Sequence, residues 1–178
     1  MNMEDRYYLN HQLWQTTFSS LVYAKVKLEN NTLVVVMKCE EKNPKAIYTK
    51  RNEPVYEDSC MEFFVKFDKN DENYFNFEMN ANGALLCQYG KNRHERQFIE
   101  CSLVEVQVLQ TKNDWQVTLK IPETFIKQYN QSFLSSVLCN FYKCGDKTSQ
   151  PHYLSWAKIL EEKPNFHCPK YFKEIKLY

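Results

Sequence analysis

Apolar and polar residues alternate with a period of two along much of the chain. Residues 22–29 are one example, with an apolar side chain at every second position. Because successive side chains of a β-strand point to opposite faces, this pattern predicts strands with one buried face. Alternating or continuous apolar runs recur at short intervals and predict about eight strands. These are residues 22–28, 33–39, 61–67, 74–80, 104–108, 115–121, 134–142 and 172–178.

The segments between these strands carry turn signals and little helix signal. Asn30-Asn31 predicts a tight hairpin turn, and Pro122 predicts the first turn of a short helix that ends before Tyr129. Trp115 continues an apolar row and is expected in the core. The pattern favours an all-β fold, an antiparallel β-sandwich of the jelly-roll or immunoglobulin-like type with at most one or two short helices.

The length of 178 residues suits one domain, and no linker or low-complexity tract divides residues 1–178. Residues 1–20 carry a weak pattern and are expected to form an extended N-terminal arm. The sequence does not indicate an oligomeric state.

Composition narrows the class of protein. The formal net charge is +1 and the basic residues are scattered, which disfavours nucleic acid as a partner. No apolar run approaches the length that crosses a membrane, so no membrane partner is expected. Seven irregularly spaced cysteines are typical of reduced thiols and indicate a cytoplasmic location, or a secreted one if a signal peptide has been removed.

The candidate chemistry begins in residues 54–65, where Tyr56 ends a loop and Glu62 follows on a predicted strand. In the strand of residues 74–80, alternation places Glu78 and Asn80 on the polar face. A short connection predicts that the two strands form a hairpin, with Glu62 across from the Glu78–Asn80 region.

This combination of residues favours carbohydrate binding. Carboxylates and amides donate to or accept from sugar hydroxyls, and aromatic rings pack against the C–H faces of a sugar. Trp156 lies in a polar, proline-containing segment and is predicted to be the second stacking ring. The predicted ligand site therefore consists of Tyr56, Glu62, Glu78, Asn80 and Trp156.

Four segments in this order resemble the family 9 carbohydrate-binding modules and their stand-alone relatives. They are the loop aromatic with Glu-Asp-Ser-x-x-Glu-Phe-Phe at 56–64, the strand and turn at 74–83, the strand at 138–143 that leads to the Trp156 loop, and Asn-Phe-His-Cys-Pro-Lys-Tyr-Phe at 165–172. Together these segments extend the resemblance over most of residues 20–178.

The resemblance implies a bacterial, non-catalytic β-sandwich that binds the ends of glucans such as cellulose, or of xylan, between two aromatic rings. Tyr56 falls where the first ring is usually tryptophan, and Trp156 falls at the second. Glu62 and Asn80 match polar residues that hydrogen-bond the sugar. Glu78 departs from the pattern, because well-known members carry arginine near that position. The resemblance also implies that calcium can stabilise the fold.

Other functions remain open at this point. Glu62 and Glu78, opposed on neighbouring strands, would stand roughly 5 Å apart, near the separation that retaining glycosidases use. A haem site would need Met61 or Met79 to converge with His152 or His167. A protein-interaction module would show an apolar surface around Tyr56.

No cofactor or metal site is assigned from the sequence. Cys139 and Cys144 are five residues apart, so on one strand they point to opposite faces and cannot share a zinc ion. His167-Cys168 lacks a second pair of ligands. The oxygen-rich loop of residues 68–73 leaves calcium as an alternative, although such loops are usually solvated turns.

Overall fold

The computed structural model describes residues 5–131 and 134–177. Within these residues the strands are β1 (Tyr7–Tyr8), β2 (His11–Gln12), β3 (Val22–Glu29), β4 (Thr32–Cys39), β5 (Cys60–Lys66), β6 (Tyr74–Asn80), β7 (Leu85–Gly90), β8 (Arg96–Phe98), β9 (Glu105–Gln110), β10 (Trp115–Pro122), β11 (Ser136–Cys144), β12 (Tyr153–Ser155) and β13 (Lys173–Lys176). Helix is confined to α1 (Glu123–Ile126) and two 3-10 turns, Val55–Glu57 and Pro169–Tyr171. No helix in these ranges is long and apolar enough to cross a membrane.

The strands form two antiparallel sheets, which confirms the predicted β-sandwich. The smaller sheet has the order β1-β3-β4-β10-β9. The larger sheet has the order β2-β12-β11-β5-β6-β7-β8, and β13 also pairs with β11. The inner faces pack against each other in one apolar cluster that includes Phe63, Phe77 and Phe141. Trp115 is fully buried in this cluster, as its apolar row predicted.

Each of the eight predicted strands is present over most of its length, and the Asn30-Asn31 turn has the positive φ angles that such a turn requires. Five further strands were not predicted. β7 is buried on both faces, so its sequence does not alternate. The other four, β1, β2, β8 and β12, have two or three residues each and leave too short a pattern to recognise.

The N-terminal segment connects the two sheets. β1 pairs with β3 in the smaller sheet, and β2 pairs with β12 in the larger one. Part of the predicted arm, residues 1–4, lies outside the described residues, as does residue 178 of the last predicted strand.

The outer face of the larger sheet is covered by connecting segments and not by a third sheet. A second apolar cluster forms there, in which Phe64 and Tyr142 on the sheet pack with Leu13, Ile159 and Phe166 from the covering segments. Because this cover is incomplete, a cavity remains between it and the polar residues of β5 and β6.

Candidate functional site

The cavity has a volume of about 150 Å³. Its walls are the outer face of the larger sheet and five connecting segments. The lining residues are Trp14, Tyr56, Glu62, Glu78, Arg93, Arg96, Cys144, Asp146, Tyr153, Pro164, Asn165, Phe166 and His167.

Two glutamates form its floor. Glu62 on β5 lies directly opposite Glu78 on β6, which confirms the predicted register. Both side chains lie on the outer face of the sheet, because residues that pair directly across two neighbouring strands point to the same side. Both are almost fully buried, at 2% and 3% exposure.

Burial controls the protonation of both carboxyl groups. It raises the pKa of Glu62 well above its usual range, and the neighbouring Cys144 thiol and Glu78 act in the same direction. Burial also raises the pKa of Glu78, to about 7, against the opposing effect of the Arg96 guanidinium. Cys144 Sγ donates a hydrogen bond of 3.0 Å to Glu62 Oε1.

Arg96 brings a positive charge to the glutamates from a strand two positions away. Its Nη1 lies 3.8 Å from Glu78 Oε1, across β7. Gly90 on β7 pairs with Arg96, and a Cβ atom at Gly90 would lie 2.4 Å from Arg96 Cα. This position therefore has to be glycine for β8 to pair so closely.

His167 connects Arg96 to the sheet. Its Nε2 lies 2.5 Å from Arg96 Nη1, and its Nδ1 lies 2.7 Å from Tyr74 Oη. Because a guanidinium can only donate, Nε2 accepts, and this network assigns the proton to Nδ1. Burial and the nearby arginines lower the pKa of His167 to about 2, so the ring is neutral.

Aromatic and acidic side chains complete the cavity. Tyr56, in the 3-10 turn Val55–Glu57, is 36% exposed. Trp14 packs against Tyr153 and Phe166, each with a ring-centroid distance of 5.4 Å, and its Nε1 donates to the Glu161 carbonyl. Burial raises the pKa of Asp146, although a hydrogen bond from Tyr153 opposes this effect.

The structure brings three of the five sequence-predicted residues, Tyr56, Glu62 and Glu78, into the cavity. Asn80 is buried beside it, but its amide group is used to hold the chain. Its Nδ2 donates to the Tyr48 carbonyl at 2.8 Å and to Asp58 Oδ2 at 2.9 Å. Its Oδ1 accepts from the backbone N–H groups of Asn82 and Ala84.

Trp156 does not line the cavity. Its ring packs against Tyr7 and Phe141, at centroid distances of 5.0 and 5.6 Å, at the edge of the core between the sheets. The reason is alternation along β12, since Leu154 points into the core and Trp156 continues that row. Tyr153 lies on the opposite face and reaches the cavity instead.

Sequence reasoning missed most of the other lining residues. For Tyr153, the alternation with Leu154 was an available signal. Arg96 lies on a strand of three residues, and Asp146 and His167 lie in irregular segments where no periodicity fixes the direction of a side chain. Their approach to the glutamates is decided by tertiary packing.

The loop of residues 68–73 does not fit a preformed calcium site. Asp68 Oδ1 accepts from the Asn70 N–H, and Asp71 Oδ1 accepts from the Asn73 N–H. The second oxygen of Asp71 accepts from the Tyr89 hydroxyl. These carboxylates therefore stabilise a hairpin turn and do not converge on one point as calcium ligands do.

The residues of the haem alternative lie apart. Met61 and Met79 pair across β5 and β6 and are fully buried between the sheets. His167 lies on the opposite face of the larger sheet, and His152 stacks on Phe18 at 3.9 Å between centroids.

Comparison with known families matches almost the whole chain. The sequence profile of carbohydrate-binding family 9 matches residues 8–177. No curated protein sequence matches the chain.

Solved structures share the fold. A candidate carbohydrate-binding protein from Bacteroides uniformis is 28% identical with a TM-score of 0.86, over 98% of this chain and 86% of that chain. A family 9 module from Caldicellulosiruptor kristjanssonii in complex with cellotriose is 13% identical with a TM-score of 0.69, over 97% and 82% of the two chains. A family 9 module from the same organism in complex with glucose is 13% identical with a TM-score of 0.65, over 96% and 83%.

Proposed function

The chain belongs to carbohydrate-binding family 9, and we propose that its cavity holds one ring of a mono- or oligosaccharide without cleaving it. One observation carries the proposal. The partly exposed ring of Tyr56 and the buried carboxyl groups of Glu62 and Glu78 line the same small cavity. A protein-interaction module would need an apolar surface around Tyr56. Within the described ranges, the surface around Tyr56 is not of this kind.

The cavity offers the hydrogen-bonding groups that a sugar requires. Glu62, Glu78 and Asp146 supply carboxyl oxygens, while the guanidinium groups of Arg93 and Arg96 supply fixed N–H donors. Each sugar hydroxyl both donates and accepts, so a lining that carries both kinds of group can pair with several hydroxyls of one ring. Arg96 also supplies, from β8, the positive charge that the family resemblance led us to expect at position 78.

The aromatic part of the site differs from the one predicted from the sequence. Tyr56 is the principal stacking ring, because more than a third of its surface is exposed. Trp14 takes the place of Trp156 as the tryptophan that lines the cavity. Flat rings bury the C–H face of a sugar and lose little side-chain entropy in doing so.

The size of the cavity limits what enters it. A volume of about 150 Å³ is below the roughly 300 Å³ at which pockets for drug-sized ligands begin. One sugar ring fits this space, and further units of an oligosaccharide would extend into solvent. Since neighbours of the same fold were solved with glucose and cellotriose, glucans are the first ligands to test, followed by xylans.

Binding without cleavage agrees with the non-catalytic nature of the family. A glycosidase must hold sugar units on both sides of the bond that it breaks. The directly opposed Glu62 and Glu78 keep hydrolysis as the second candidate. It predicts release of reducing sugar from an oligosaccharide and loss of that release in Glu62→Gln, whereas our proposal predicts no release.

Calorimetric titration with glucose, xylose, cellotriose and xylotriose tests the proposal. We expect saturable binding of at least one sugar, weakened about tenfold by Tyr56→Ala, which removes a stacking contact of about 1 kcal/mol or more. Tyr8→Ala, at a similarly exposed tyrosine outside the cavity, is the matched control and should leave affinity unchanged. Failure of every sugar to bind, or equal affinity in Tyr56→Ala, would contradict it.

A further inference from the structure

Two cysteines and a glutamate meet at the floor of the cavity. Cys60 and Glu62 are two residues apart on β5, so both point to its outer face. Cys144 on β11 lies directly opposite Cys60. Among the described residues, this is the group in which three potential metal ligands come within 4.8 Å of one another.

We propose that Cys60, Glu62 and Cys144 bind a thiophilic divalent cation, such as zinc, at the floor of the cavity. Glu62 belongs both to this site and to the proposed sugar site, so metal binding is tested without a sugar present and its failure is distinguishable from failure of sugar binding.

The separations fit a tetrahedral ion. Bond lengths of about 2.3 Å to sulfur and about 2.1 Å to oxygen place the two sulfur atoms and the oxygen atom of a tetrahedral site roughly 3.6 to 3.8 Å apart. The observed range, from 3.0 Å between Cys144 Sγ and Glu62 Oε1 to at most 4.8 Å, brackets these values. Small side-chain rotations would therefore complete the coordination without movement of the strands.

The present partners of the two thiols are weak. Cys60 Sγ lies 3.8 Å from its neighbouring carbonyl oxygen, of Met61, and Cys144 Sγ lies 3.7 Å from the Tyr56 carbonyl. The exceptions are the Cys144–Glu62 hydrogen bond and the Cys60–Cys144 interaction, and each joins two of the proposed ligands. An ion would replace the contacts among the three groups by shorter bonds and would remove only the two long contacts of the thiols with carbonyl oxygens.

The position of the group provides an entry path and an open coordination site. Cys60, Cys144 and Glu62 are 0%, 1% and 2% exposed, but Cys144 and Glu62 line the cavity. An ion can therefore arrive through the cavity, and its fourth position faces the cavity space. Three protein ligands with one open position is the arrangement of zinc sites that accept an exogenous ligand.

The donor set selects the class of metal. Two thiols and one carboxyl group suit zinc and other thiophilic ions. Calcium needs six to eight oxygen ligands and magnesium needs an octahedron of oxygens, and neither tolerates two sulfur ligands at this position. From the sequence, Cys139 and Cys144 are weighed as a pair of zinc ligands. The pair that the structure forms is Cys60 with Cys144, and it depends on the pairing of β5 with β11, which is not visible in the sequence.

Titration of the chelator-treated, fully reduced protein with cobalt(II) alone tests the proposal. We expect one cobalt ion per chain, with the near-ultraviolet thiolate-to-cobalt absorption of two thiolates and the visible bands of tetrahedral cobalt. Cys60→Ser and Cys144→Ser should each halve the thiolate absorption, and the double variant should abolish it. Glu62→Gln should keep that absorption but weaken binding about tenfold or more.

Cys87→Ser is the matched control, because Cys87 is also buried on a strand of the larger sheet and lies beside a second cysteine, Cys101. The cobalt spectrum should be unchanged in this variant. Absence of thiolate absorption in the wild-type protein, or its retention in Cys60→Ser/Cys144→Ser, would overturn the proposal. So would its loss in Cys87→Ser.

A measurement on the wild-type protein covers the case in which a cysteine variant does not fold. The zinc-loaded protein should show an X-ray absorption fine structure with two sulfur neighbours at about 2.3 Å and one or two oxygen neighbours at about 2.0 Å. A shell of nitrogen and oxygen alone would exclude the site.

Discussion

The guanidinium group of Arg96 lies 3.8 Å from Glu78 Oε1, although β7 separates their two strands. Gly90 makes this possible, since it is the residue of β7 that pairs with Arg96 and leaves room for the close approach of β8. The pair places a positive charge beside two buried carboxyl groups, at exposures of 19% and 4% for the Arg96 and Glu78 side chains.

Removal of this charge should destabilise the protein. In Arg96→Gln, Glu78 stays buried without its nearest positive charge, and we expect a loss of about 1–3 kcal/mol in the free energy of unfolding. Urea denaturation at neutral pH measures it. Lys120→Gln is the control, because Lys120 also lies 3.8 Å from a glutamate, Glu105, but both side chains are exposed and the loss should stay below about 1 kcal/mol. Equal losses would show that burial of the pair has no effect.

Gly90→Ala should disturb the same region through the backbone. An added Cβ would lie 2.0 Å from the Glu95 carbonyl oxygen and 2.4 Å from Arg96 Cα, and neither atom can rotate away. We expect destabilisation of about 1–3 kcal/mol, together with weaker sugar binding as Arg96 is displaced. Thermal unfolding and calorimetric titration measure the two effects. A variant with wild-type stability would contradict the close approach of β8.

Tyr56 and Trp156 should respond in opposite ways to truncation. Trp156→Ala removes a ring packed on Tyr7 and Phe141 and should lower stability by about 2 kcal/mol or more, with unchanged sugar affinity of the folded protein. Tyr56→Ala should lower affinity and leave stability within about 0.5 kcal/mol, as for most exposed positions. The two variants are compared by urea denaturation and calorimetry at one temperature. Reduced affinity in the folded Trp156→Ala protein would restore Trp156 to the ligand site.

A buried histidine beside the end of β11 should make stability depend on pH. His152 is buried, and its Nε2 lies 2.6 Å from Lys143 Nζ, which also pairs with Glu41 at 3.4 Å. Burial and the Lys143 charge lower the pKa of His152 from 6.5 to about 4, against smaller opposing effects of a backbone hydrogen bond and of Glu41.

Since the folded pKa is the lower one, the unfolded chain binds the proton more readily between pH 6.5 and pH 4. The contribution of His152 to stability is therefore present above pH 6.5 and is lost as the pH falls toward 4, by about 2–3 kcal/mol in all. Urea denaturation of the wild-type protein and His152→Gln at intervals across this range measures the difference. If the free energies of unfolding of the two proteins change with pH in parallel, His152 is not the titrating group.

The local pattern of the sequence is enough to predict the class of fold. Alternation in β3, β5 and β10 identifies strands with one buried face, and the Asn30-Asn31 turn fixes the first hairpin. Parity and a short connection also predict that Glu62 lies across from the Glu78–Asn80 region, and within that region the structure pairs it with Glu78. These features depend on residues close in the chain, so local pattern is sufficient to predict them.

The packing of distant segments determines which residues accompany the glutamates. Arg96, Asp146 and His167 reach the cavity from segments without periodicity, and the pairing of β5 with β11 brings Cys144 to Cys60 and Glu62. Trp156 directly follows Ser155, the last residue of β12. By alternation its side chain therefore points to the core and not to the cavity. The cavity arises where distant segments cover the larger sheet, and their packing is a property of the whole fold and not of any single stretch of sequence.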